Sequence, residues 1–258
     1  MSSNLRSRAY DVLRRAKGPS RWRAACLYFG AGLLTVRDFR PSSVARWEAY
    51  DDENPGLVTW EDQAYRTVMR LSDRVLLIGC GTGRDLLALR QLGYDVTGLE
   101  QSTALADQAR ATLSHHGLPT EVIPEAIESY ASRDAFDVIV FSPYTYSYIL
   151  GMASRVAILK RMRGCLSPQG RVIISYPALI RQSSLWIFLA RVSSVCVGSD
   201  WWPEAGDRLY GPPSLPKALG FEHQFSPDEL ARECEMAGLD IVRDESISSY
   251  FRFAVATV

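Results

Sequence analysis

The chain has 258 residues, 47% of them hydrophobic and 22% charged, which suits one sizeable domain or a domain with an insertion. Its 29 basic and 29 acidic side chains cancel, so no global field favours a polyanion and nucleic acid is not an expected partner. Five scattered cysteines, never spaced C-x-x-C, and three histidines offer neither a disulfide framework nor a metal site, and read as reduced thiols of a cytoplasmic protein.

Residues 1–23 carry Arg6, Arg8, Arg14, Arg15, Lys17, Arg21 and Arg23 against the single acid Asp11. The apolar run "AACLYFGAGLLTV" (24–36) follows. It is too short to span a bilayer, and no small-residue cleavage site succeeds it. An N-terminal helix packed on the domain is expected, with peripheral membrane contact through residues 20–36 as the competing reading. Residues 1–58 are thus a helical extension or lid, in which "ARWEAYDDENPG" presents Trp47 and Tyr50.

From residue 59 strand and helix signals alternate. "TWED" offers Thr59 and Asp62 as a capping-box-like start to a helix reaching about Leu71. Strands are expected at 74–79, 94–100, 120–123, 136–141 and 170–175. Helices are expected from Gly83 to Gly93, from Ser102 to Gly117 and over 148–163, with Gly93, Gly117, Gly164 and Gly238 as left-handed caps. Residues 176–225, rich in Trp, Pro, Gly and Ser, read as a cap inserted at the carboxyl edge. "SPDELARECEMAG" restarts a helix with Ser226 as cap and Pro227 next, and the chain closes in two extended strands. The fold expected for residues 59–258 is α/β: a doubly wound, mostly parallel, Rossmann-like seven-stranded sheet with a C-terminal antiparallel hairpin.

"LLIGCGTGRD" follows the first strand and opens a helix, where backbone amides point at a ligand. A dinucleotide fingerprint G-x-G-x-x-G would put its third glycine at 84, which is Arg; the glycines are Gly79, Gly81 and Gly83. Glu100, 17 residues past Gly83, ends the second strand where a carboxylate can accept from both hydroxyls of a ribose. An adenosine without pyrophosphate points to S-adenosylmethionine.

The run "RVLLIGCGTGRDLLALRQLGYDVTGLEQS", with "FDVIVF" and "LSPQGRVIIS" downstream, resembles the class I S-adenosylmethionine-dependent methyltransferase family. The resemblance spans residues 59–175 and, more loosely, 226–258. It implies that Gly79, Cys80, Gly81 and Gly83 line the methionine and ribose, that Glu100 binds the ribose and that Gln101 flanks the adenine. Glu125 and Ala126, in "PEA", fall where the family meets the adenine amino group, and Phe141 and Ser142 lie beneath the methionine. S-adenosylhomocysteine is the implied product. One position departs: the acid usual two residues before the first glycine is Leu77.

Methyl transfer from a sulfonium needs alignment, and a base only where the acceptor carries a proton. His223, in "GFEHQFSPDEL", is the base candidate, with substrate-contacting and structural roles left open. Tyr144 and Tyr146, in "FSPYTYSYIL", are expected at the carboxyl edge, Tyr144 as a catalytic group beside the reacting centre and Tyr146 as an acceptor contact; "SPY" matches the amino-methyltransferase motif only in part. Trp201 and Tyr210 in the insertion, with Tyr50, are candidates to wall a small acceptor with an apolar or aromatic part, or to be the cap's own core. No metal is expected. The alternatives are a nicotinamide-dependent oxidoreductase of related fold and a non-catalytic module that binds S-adenosylmethionine. The acceptor and the oligomeric state are not legible.

Overall fold

The computed structural model describes residues 3–15, 20–35, 56–132, 135–179, 184–210 and 220–258. Its elements run α1 (Ser3–Arg14), α2 (Ser20–Gly32), α3 (Thr59–Val68), β1 (Arg74–Ile78), α4 (Arg84–Gln91), β2 (Asp95–Leu99), α5 (Thr103–His115), β3 (Val122–Ile123) and β4 (Phe136–Phe141). After a 3-10 turn at Thr145–Tyr148 come α6 (Met152–Arg163), β5 (Leu166–Pro177), α7 (Ser184–Val197), β6 (Asp207–Tyr210), β7 (Gly220–His223), α8 (Pro227–Ala237), β8 (Asp240–Ser246) and β9 (Phe251–Thr257).

Two units emerge. One holds the described residues within Tyr50–Tyr146, Met152–Ala178 and Ser226–Val258. Its seven-stranded sheet has the order β3-β2-β1-β4-β5-β9-β8, parallel from β3 to β5, with β9 antiparallel to both β5 and β8. Val75, Leu76, Leu77 and Ile78 of β1 are all buried, the mark of a strand covered on both faces. Strand order reverses between β1 and β4, which opens a crevice at their carboxyl ends. Ile78 is level with both Leu99 and Phe141, so the chain leaves β1, β2 and β4 side by side at that edge.

Local chemistry sets the helix ends, and three of them correct the expectation. α3 is capped at Val58, whose amide donates to Glu61 Oε2 at 2.7 Å, so Glu61 fills the role expected of Asp62. α6 starts at Met152, after Gly151 turns the chain at φ +80, which leaves Tyr148 in the 3-10 turn. Gly164 lies outside the left-handed region that Gly93, Gly117 and Gly238 adopt. Between α6 and α8, Arg155 and Glu233 form a fully buried ion pair at 2.6 Å.

The other unit holds the described residues within Met1–Ala49, Ser147–Gly151 and Leu179–Phe225. The N-terminal helices and the insertion, remote in sequence, thus share one core of Tyr10, Tyr28, Ala31, Leu34, Ile187, Ala190, Trp201, Leu209 and Phe221. At Gly32 a Cβ would lie 2.2 Å from the Ala190 carbonyl oxygen, so this contact between α2 and α7 needs glycine. Much of the apolar run 24–36 is consumed here: Cys26, Tyr28, Ala31, Leu33 and Leu34 are buried, and Arg21, Trp22 and Arg23 are exposed. Among the described residues no helix is long and apolar enough to cross a membrane.

Candidate functional site

The glycine loop is built on the end of β2. Gly79 and Cys80 donate their amides to the Leu99 carbonyl at 2.8 and 3.3 Å, folding the loop across the sheet edge. Gly79, Gly81 and Gly83 take φ of +72, +54 and +93, which only glycine adopts freely. Their duties differ. A Cβ on Gly83 would lie 3.0 Å from Ala109 on α5, so this glycine admits the helix; one on Gly81 would meet nothing within 4 Å, so this one faces open space.

Glu100, buried at the end of β2, accepts the Gly81 amide on Oε2 at 3.0 Å and the Ser102 amide on Oε1 at 2.9 Å. Each oxygen keeps a lone pair after that bond. The carboxylate therefore fixes the loop and can still receive two hydroxyls.

Leu77 is buried where an acid is usual, and acids reach the loop from elsewhere. Arg84, first residue of α4, donates to Glu61 Oε1 at 2.9 Å and to Asp85 Oδ1 at 2.6 Å; Asp85 Oδ2 accepts from the Ser142 hydroxyl at 2.9 Å. Burial, then the nearby Asp85, pushes the Glu61 carboxyl up to about 7 against the pull of Arg84. Sequence reasoning missed Glu61 and Asp85. The one available signal was Asp85 itself, set directly after the glycine loop.

The expected cofactor residues gather at this edge. The Gln101 side chain is exposed. Glu125 follows β3 with its amide on the Ile123 carbonyl, and its half-buried carboxylate makes no hydrogen bond among the described residues. The Ala126 carbonyl accepts the Ser129 and Tyr130 amides. Phe141 is buried, and Ser142 donates its amide to the Ile78 carbonyl at 2.9 Å. Burial raises the Cys80 thiol well above its ordinary range, so it is a packing group and no nucleophile.

Tyr144 and Tyr146 part company. Tyr144 is held at φ +63, with its amide on the Ser175 hydroxyl at 3.1 Å. Its ring stacks on Phe251 at 4.3 Å and lies 6.4 Å from Trp60, and burial pushes its phenol up to about 12. Tyr146 is fully buried, its ring edge-on to Phe141 and its hydroxyl donating to Glu233 at 2.6 Å. That hydroxyl is committed to the ion pair beneath the edge.

In the other unit His223 is fully buried on β7, with Nδ1 2.7 Å from Asp207 Oδ1 on β6 and its ring edge-on to Phe225. Glu204 lies 3.9 Å from the same nitrogen, and its amide donates to Asp207 Oδ2. Burial raises the Asp207 carboxyl, an effect that the histidine opposes. These three side chains could in principle hold a cation, yet the short His223–Asp207 hydrogen bond already satisfies the pair. Trp201 is part of this unit's core, edge-on to Phe221. Tyr210 is placed as a backbone position at the end of β6. Tyr50 and Trp47 lie outside the described residues.

Residues 75–170 match a family model described as a methyltransferase domain. Over 107 residues the chain is 30% identical to a protein-L-isoaspartate O-methyltransferase of Methylorubrum extorquens (strain PA1), covering 41% of this chain and 42% of that protein. Over 163 residues it is 29% identical to a ubiquinone biosynthesis O-methyltransferase of Methylobacterium sp. (strain 4-46), covering 63% and 57% respectively. The chain thus spans about half the length of these curated relatives. Among solved structures, a SAM-dependent methyltransferase of Methanosarcina mazei shares the fold with a TM-score of 0.62 at 20% identity, over 78% of this chain and 98% of that one.

Proposed function

We propose that this chain, whose residues 75–170 match a methyltransferase-domain model, is a class I methyltransferase that takes a methyl group from S-adenosylmethionine and transfers it to an oxygen or nitrogen of a small-molecule acceptor. One observation carries this reading: the glycine loop, Glu100 and Ser142 leave three strands that are level at a single sheet edge. The residues there suit the cofactor. Gly81 borders open space, Glu100 retains two acceptor sites for a ribose diol, and the Glu125 carboxylate, which makes no hydrogen bond among the described residues, suits an adenine amino group.

When bound, S-adenosylmethionine supplies a methyl already activated on a sulfonium, which passes to the acceptor with S-adenosylhomocysteine as the product. The chain's task is alignment. Glu100, which fixes the loop, would also hold the ribose, and Ser142, held by Asp85, would contact the methionine portion. The Tyr144 ring, backed by Phe251 and Trp60, supplies an aromatic surface that suits an apolar or ring-bearing acceptor and excludes water. His223, oriented by Asp207, is the proposed base where the acceptor must lose a proton. Tyr50 and Tyr210 remain proposed acceptor contacts, while Trp201 lies in the core of its unit. A cytoplasmic setting belongs to this reading, in keeping with five unpaired cysteines.

Titration calorimetry with S-adenosylmethionine and S-adenosylhomocysteine tests the cofactor, and an acceptor screen for S-adenosylhomocysteine release tests the reaction. Absence of binding to both ligands would overturn the proposal. The oxidoreductase alternative has nothing in its favour: Arg84 fills the third-glycine position, and its guanidinium is engaged by Glu61 and Asp85.

A further inference from the structure

Helix α7 is apolar on two sides, and its own unit uses only one of them. Ile187, Ala190, Ser193 and Ser194 are buried. On the opposite side Leu185, Phe188, Val192 and Val195 recur at i, i+3, i+7 and i+10, and are 53%, 61%, 37% and 66% exposed. Exposed Cys196 and half-buried Leu189 complete this stripe, which contains no charged residue. Beside it Arg191, from the same helix, lies over the exposed Trp202 ring at 5.2 Å, a pair suited to a boundary between apolar and aqueous media. A continuous apolar stripe of this kind marks an interaction surface.

The charge of the same unit indicates what covers it. α1 presents Leu5, Arg8, Val12 and Arg15 to solvent at the same spacing as the stripe on α7, and α2 adds exposed Arg21, Trp22 and Arg23. Seven basic residues against one acid in residues 1–23 form a local excess in a chain of zero net charge. An anionic surface with an apolar interior complements both features.

We infer that this unit docks on an anionic lipid bilayer, with the Leu185–Phe188–Val192–Val195 face of α7 entering the headgroup boundary and the arginines of α1 and α2 on the headgroups. The apolar contact is thereby assigned to the inserted helix, whereas residues 24–34 are spent inside the unit. The inference goes beyond methyl transfer and does not depend on it.

Flotation of the full chain with vesicles of phosphatidylcholine alone, or mixed with phosphatidylglycerol, tests it. Binding is expected only to the mixed vesicles, and it should weaken with added salt. The double variant Phe188→Glu, Val195→Glu should bind about tenfold or more weakly. An unmutated chain gives an independent reading, because Cys196 is the exposed cysteine of the five. An environment-sensitive fluorophore on Cys196 should shift to the blue with mixed vesicles. No flotation with mixed vesicles, or no shift at Cys196, overturns the inference, as does unchanged binding by the double variant. A dimer dispersed by that variant, with no vesicle binding, would overturn it in favour of a second copy.

Discussion

Glu61 and Arg84 meet at 2.9 Å across 23 residues of sequence, and the guanidinium that holds Glu61 also holds Asp85 at 2.6 Å. One cation serves two buried carboxylates beside the glycine loop. The network cannot remain fully ionised without cost, and Glu61 bears that cost as a carboxyl raised to about 7.

Stability should register this proton. Between the ordinary carboxyl value of 4.5 and about 7, the folded chain holds a proton on Glu61 that the unfolded chain has released. The contribution of this group is therefore full below that window and declines as pH rises through it. Arg84, Asp85, Tyr65 and Tyr144 surround the group and set the size of the effect. Thermal unfolding across this range should show the decline in the native chain and its loss in Glu61→Gln. An equal slope in the variant would exclude Glu61 as the source.

Glu100 has two duties, and one substitution should abolish both. Glu100→Ala removes the acceptor of the Gly81 amide and the proposed ribose contact together. Charged hydrogen bonds of this type contribute about 1.5–3 kcal/mol each, so affinity for S-adenosylmethionine should fall roughly tenfold to a hundredfold. Unchanged affinity in calorimetry would rule out the ribose assignment.

The buried Arg155–Glu233 pair, with Tyr146 donating to the same carboxylate, should respond asymmetrically. Arg155→Met strands a buried carboxylate and should cost about 3–5 kcal/mol in chemical denaturation. Tyr146→Phe removes one hydrogen bond to a group that Arg155 still satisfies, and should cost about 1–2 kcal/mol. The reverse ranking would mean that Tyr146, rather than the ion pair, anchors α8.

Tyr144 should act through its ring. With its phenol raised to about 12, the hydroxyl stays protonated at neutral pH and is no general base there. Tyr144→Phe should keep turnover and its pH profile, while Tyr144→Ala should lose about tenfold with the stack on Phe251. A changed pH profile in Tyr144→Phe would reverse this assignment.

Strands β1 and β4 were legible because each is a short apolar run bounded by turn residues, and β4 spans the Phe136–Phe141 that "FDVIVF" spells; β6 and β7, in the insertion, were not. The site edge was legible for the same reason, since parallel strands that end level bring their following residues together. The acids were not legible. Glu61 comes from the helix before the sheet, and Asp85 meets Ser142 across 57 residues, so no local spacing announces either contact. Thr59 and Asp62 offered conventional cap chemistry, but the backbone amide of Val58 sufficed for Glu61 one position earlier. Tyr144 and Tyr146, both expected at the carboxyl edge, were legible only in part. Tyr144 is set by a positive φ and Tyr146 by a carboxylate 87 residues away.

Ser199 donates its hydroxyl to the Leu34 carbonyl across 165 residues, and Tyr28 reaches the Asp207 carbonyl across 179. Helices α1 and α2 therefore cannot complete their packing until the insertion has emerged from the ribosome. At roughly 5–20 residues per second that interval is on the order of ten seconds or more. During it Tyr28, Ala31 and Leu34 have no core to enter, and they are natural clients for a holdase chaperone. Removing the first 35 residues would not trim a tail. It would leave Ile187, Ala190, Leu209 and Phe221 without Tyr10, Tyr28, Ala31 and Leu34, which share their core.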